Sequence, residues 1–82
     1  MKLSTSRKQN LQRAMRAEEV LVFYSRLYNM EPQMAPRDLI TDLLHYLRMD
    51  RVDGEHEHEM ALQNYRDEIS EEEVEEKRDP HW

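Results

Sequence analysis

The chain of 82 residues contains no cysteine. Disulfides, thiolate metal sites and thiol nucleophiles are therefore excluded. Glycine occurs once, at Gly54, and proline three times, at Pro32, Pro36 and Pro80. A β domain of this size needs several tight turns, which draw on glycine, asparagine and proline. Their scarcity predicts an all-α chain with few connections. Long apolar runs are also missing: the longest, Val20 to Tyr24, falls far short of a membrane span. No apolar stretch follows the first basic residues, as a secretory leader would require. The expectation is one small soluble domain of the cytoplasm, with no membrane partner.

Acids are absent from the start of the chain. Residues 1–17 carry Lys2, Arg7, Lys8, Arg13 and Arg16, a charge of +5. The whole chain is at −6, so residues 18–82 carry −11. From Asp53 to Glu76 there are eleven acids and one base, Arg66. The chain begins as a cation and ends as an anion.

What is present is helical spacing. Leu39, Ile40, Leu43, Leu44 and Leu47 form one apolar face, while Asp38, Thr41, Asp42, His45 and Arg48 lie opposite. Pro36 suits a first helical position, and Asp38 suits the first turn, where negative charge meets the positive helix end. This predicts a central helix over about 36–50. Before it, no glycine or proline interrupts residues 7–29. Leu11, Ala14, Ala17, Leu21, Tyr24 and Tyr28 recur three or four apart, with a second stripe of Val20, Phe23, Leu27 and Met30 beside them. Ser6 followed by Gln9 reads as a capping box. A first helix over about 7–29 follows, its stretch 20–28 expected to be buried against the central helix. Asp53 is a plausible cap for a third helix over about 54–74, with Leu62, Tyr65 and Ile69 as its seam. The predicted architecture is a small three-helix domain of residues 1–74. Its second helix is sandwiched between the other two, its N-terminus is frayed, and a flexible acidic tail covers 75–82. Trp82 has no evident role.

The segments RAEEVLVFYSRLYNM, DLITDLLHYL and ALQNY, separated by a proline-containing loop and trailed by acids, resemble small all-helical proteins of bacteriophages, prophages and mobile elements. Those share an acid-Leu-Ile-x-Asp-Leu-Leu/Met-His core. The resemblance spans about residues 17–71 and leaves out the basic start and the glutamate-rich end. It implies a phage-type accessory protein in a bacterial host cell. It assigns no chemistry and no site residue.

Several groupings invite a chemical reading. Asp38, Asp42 and His45 share a helix face and have the groups for metal binding or acid–base work, although one helix supplies only part of a coordination sphere. The plain reading is a polar stripe. His56 and His58 are two apart, so on a helix their imidazoles diverge by about 200° and cannot chelate one ion. No phosphate loop and no Ser/His/Asp grouping is present. The expectation is a non-enzymatic protein with no cofactor, no metal and no catalytic residue.

Charge then carries the functional reading. Glu68, Glu71, Glu72, Glu73 and Glu75 form an acidic surface that solubilises the chain or occupies a basic groove of a partner protein. Asp42 and His45 are second candidates for partner contact. The leading expectation is a protein that binds a host protein or complex, inhibiting a defence or regulatory assembly; the target class follows from the resemblance. The alternative is a small nucleic-acid-binding transcriptional regulator using Arg7, Lys8, Arg13 and Arg16 on phosphates. Those cations have a second use, pairing with this protein's own acids. Tyr24, Tyr28, Tyr46 and Tyr65 read as core-edge packing or as an interface patch. A core this small and a wide first stripe also suggest a homodimer.

Overall fold

The computed structural model describes residues 4–78, which form three helices and no strand. They are α1, Thr5–Leu27, α2, Ala35–Met49, and α3, Gly54–Arg78. The all-α, three-helix reading holds, with shifted ends. Residues 1–3 and 79–82, which include Lys2 and Trp82, lie outside the described residues. The stretch expected to be a tail from 75 onward is helical through Arg78.

Local chemistry sets each helix end. Ser4 rather than Ser6 caps α1, its hydroxyl accepting the Arg7 N–H at 3.1 Å. Ser6 is the second residue of the helix, within its first turn, and is buried. At the other end Asn29 adopts φ 51°. The Met30 N–H then reaches the Ser25 carbonyl at 3.0 Å, and the Asn29 N–H reaches that of Arg26 at 3.4 Å. This is the Schellman closure, which satisfies carbonyls left over at a helix end. The end of α2 repeats it. Arg51 sits at φ 61°, and the Val52 N–H donates to the Leu47 carbonyl at 2.8 Å. Asparagine tolerates this conformation, whereas an arginine there costs about 1–2 kcal/mol. Asp53 caps α3 as expected, Oδ1 accepting the His56 N–H at 3.1 Å.

The second helix does touch both neighbours, as expected, but it meets them with its flanks rather than with the middle of its apolar face. Residues advance about 100° around a helix. One flank of α2 carries Ala35, Asp38 and Asp42, and it faces α1: Tyr24 of α1 donates its hydroxyl to Asp42. The opposite flank carries Leu44 and Leu47, and it faces the start of α3. A Cβ on Gly54 would lie 3.2 Å from Leu44 Cδ2 and 3.6 Å from Leu47 Cβ, so the lone glycine permits that approach. The middle of the apolar face, between the flanks, is left open. Leu43 is 50% exposed and Ile40 47%, while Leu39, Leu44 and Leu47 are half-buried. This corrects the expectation that all five aliphatic side chains are covered.

The other seams are thin as well. Within 20–28 only Tyr24 is buried; Val20, Phe23 and Leu27 are exposed, contrary to the expected packing. In α3, Tyr65 and Leu62 are exposed and Ile69 half-buried. Among the described residues, Tyr24 and Ala35 are the only buried apolar side chains. All three pairs of helices touch, and the molecule measures 48 × 28 × 15 Å, a slab rather than a cylinder.

Candidate interaction surfaces

The first half of α1 and the last half of α3 run side by side and are joined by polar groups. Glu75 reaches the N-terminal turn of α1, where Oε2 accepts the Ser6 N–H at 2.9 Å and Oε1 the Ser6 hydroxyl at 2.6 Å. A helix start presents unpaired N–H groups and the positive end of its dipole, so a carboxylate is well placed there. The Ser6 hydroxyl and N–H hold the Glu75 carboxyl below its ordinary range, helped by Ser4 and the Thr5 N–H against a smaller opposing effect of burial. One turn on, Asn10 Nδ2 donates to Glu72 at 3.1 Å and to the Glu68 carbonyl at 3.2 Å. Arg7 pairs with Glu76 at 3.6 Å and Arg13 with Glu68 at 3.2 Å.

The predicted acidic site therefore divides. Glu68, Glu72 and Glu75 face inward and bind α1, whereas Glu71 and Glu73 are exposed. The predicted cationic site divides too. Arg7 and Arg13 are paired within the chain, and Lys8 and Arg16 are exposed. Of the two uses open to these cations, pairing with the protein's own acids is the one realised by half of the set.

The polar stripe of α2 is also partly internal. Asp42 accepts the Tyr24 hydroxyl. That bond, then desolvation, then the charges of Asp42 and Asp38, push the Tyr24 phenol up to about 12. Its ring packs edge-on against Tyr28, with centroids 5.3 Å apart. His45 remains exposed, beside Leu44, Arg48 and Val52 at a shallow groove of about 380 Å³. Among the described residues no group of three or more histidine or acidic side chains is placed to hold a metal ion, and no helix is long and apolar enough to cross a membrane.

Two further grooves are open to solvent. One, of about 700 Å³, runs along α1 under the 28–34 loop and is lined by Ala14, Ala17, Leu21, Val22, Met30 and Pro32. The other, of about 440 Å³, lies between α1 and α3, where Ala14 faces Tyr65 and Ile69 beside the Arg13 and Glu68 pair. Sequence reasoning missed Ser6 and Asn10 as partners of the glutamates. Opposite charge at the two chain ends was the available signal, and it points to the arginines but not to these neutral side chains. No protein-family model, curated protein or solved structure matches the chain.

Proposed function

We propose that this chain is a non-enzymatic, phage-type accessory protein that acts by binding a host protein or complex. An assembly of bacterial defence or regulation is the target class, on the strength of the resemblance. The contact surface is made by the exposed acids of α3, Glu71 and Glu73, which flank its inward-facing stripe on either side, with His45 of α2 as a second contact. The observation that carries this reading is the anchoring of α3 by its inner acids. Glu68, Glu72 and Glu75 are tied to α1, so the outer acids stand on a held helix rather than on a loose tail. Binding through ordered groups loses less conformational entropy, and charge on a rigid surface favours fast encounter with a basic partner.

The test is affinity capture from bacterial lysate with the intact chain and with Glu71→Lys/Glu73→Lys. Both positions are exposed, so helicity by circular dichroism should not change. Loss of the captured protein from the double variant supports the acidic surface. Equal capture by both chains removes it. Salt-dependent retention of DNA or RNA that disappears on Lys8→Gln/Arg16→Gln would instead favour the nucleic-acid reading.

A further inference from the structure

We infer that the open apolar face of α2 is the seam of a homodimer. Leu39, Leu43 and Tyr46 lie along this face, between the flank that meets α1 and the flank that meets α3, with the exposed Ile40 at its α3 edge. Each chain thus offers a strip bounded by two ridges, and a second copy presents the same strip. The pairing is isologous: two α2 helices cross about a two-fold axis near Leu43, and the ridges of each chain close over the other.

Three observations choose a second copy as the occupant. The first is area. The chain exposes 7382 Å², whereas a compact folded chain of 10.0 kDa exposes about 5,200 Å². Its radius of gyration is 16.1 Å, against about 12 Å for a compact domain of this length. The excess surface is at least on the order of 1,000 Å², and a stable interface takes about 800 Å² from each partner. The second is charge. A chain at −6 repels its own copy over most of its surface, but no residue of the strip is charged. The third is the core itself. With Tyr24 and Ala35 as the only buried apolar side chains among the described residues, one chain buries too little to offset the entropy of ordering its helices. The missing burial has to be supplied wherever the protein is made, and another copy of itself is always present there.

Sedimentation equilibrium on the intact chain tests this. The expected mass is about twice 10.0 kDa, with a thermal midpoint that rises with protein concentration. A mass of 10.0 kDa throughout a roughly hundredfold range of concentration overturns the proposal. Leu43→Ser should shift the chain to monomer and partly unfold it; a variant that stays dimeric with the same dissociation constant counts against the seam. Because the chain lacks cysteine, a cross-link gives a reading that does not depend on the stability of that variant. Under mild oxidation Leu43→Cys should yield a disulfide-linked dimer, and Thr41→Cys, on the polar side of the same helix, should not. Equal cross-linking at both positions overturns the assigned face.

Discussion

The two halves of α1 meet their neighbours by different chemistry. Its first half lies against the end of α3 through Ser6, Arg7, Asn10 and Arg13, with glutamates opposite each of them. Its second half lies against α2 through one buried tyrosine, Tyr24, hydrogen-bonded to Asp42. The ion pairs of the polar half are themselves half-exposed, so each contributes little, roughly 0–1 kcal/mol. The apolar half carries the side chains worth most on burial, and leaves the middle of them open. Register and orientation therefore come from the polar half, and the capacity for further burial sits in the apolar half.

The largest single effect should come from α2. Leu44 is wedged against the start of α3, and Leu44→Ala should cost about 2–3 kcal/mol, at the lower end for buried leucines because the site is only half-covered. Urea unfolding followed by circular dichroism measures it. The loss should be the same at low and high salt, since no charge is involved. A salt-dependent loss would mean that the two halves are energetically one unit.

Acidity separates the halves more sharply. Glu75 has a lower pKa in the folded chain than in the unfolded one. Its contribution is complete above the ordinary glutamate value, about 4.3, and is lost as pH falls through that value toward the folded one. Tyr24 has the opposite sign. Its phenol is raised to about 12, so its contribution is complete below the ordinary tyrosine value, about 10, and is lost as pH rises to about 12. The polar half should weaken in acid and the α1–α2 seam in alkali. Glu75→Gln should flatten the acid limb of a stability–pH curve and leave the alkaline limb alone; Tyr24→Phe should do the reverse. A Glu75→Gln chain with the acid limb unchanged would show that the carboxylate at the start of α1 is not what acid disrupts.

Much of this division could be read from the residues. Pro36, Asp38 and Asp53 mark helix starts that the fold uses, because caps and dipoles act within one turn and need no tertiary partner. The charge asymmetry also announced that arginines of the first seventeen residues and acids of the last helix had reason to meet. Periodicity identified the apolar face of α2 but could not say how much of it would be covered. The answer depends on helix directions: Gly54 lets α3 approach Leu44 and Leu47 from one side, Tyr24 meets Asp42 on the other, and Leu43 falls between. Asp42 looked like surface charge because the phenol it accepts is eighteen residues away. Arg51 carries no turn signal, since nothing in an arginine favours a left-handed backbone.

That arginine offers a smaller test, confined to the apolar half. Arg51→Gly should stabilise the chain by about 0.5–1 kcal/mol, relief of left-handed strain being offset in part by the greater freedom of glycine when unfolded. Asn29→Gly, at the equivalent position after α1, should gain less, since asparagine already tolerates that conformation. Thermal unfolding of the two variants ranks them. A larger gain at Asn29 would contradict the strain argument.

The smallest effect belongs to the ion pairs that join the chain ends. Arg13 and Glu68 sit 3.2 Å apart with the arginine side chain 46% exposed, and exposed pairs contribute roughly 0.2–1 kcal/mol. Arg13→Gln should fall in that range at low ionic strength. At about 1 M salt the screening length shrinks to about 3 Å, and the difference between wild type and variant should nearly vanish. Arg7→Gln, whose pair with Glu76 is longer at 3.6 Å, should lose less. Chemical denaturation by urea, which adds no ions, reads both. If Arg13→Gln costs as much in high salt as in low, the arginine matters through the packing of its aliphatic stem against α3 rather than through its charge. The polar half would then be held by burial, as the other half is.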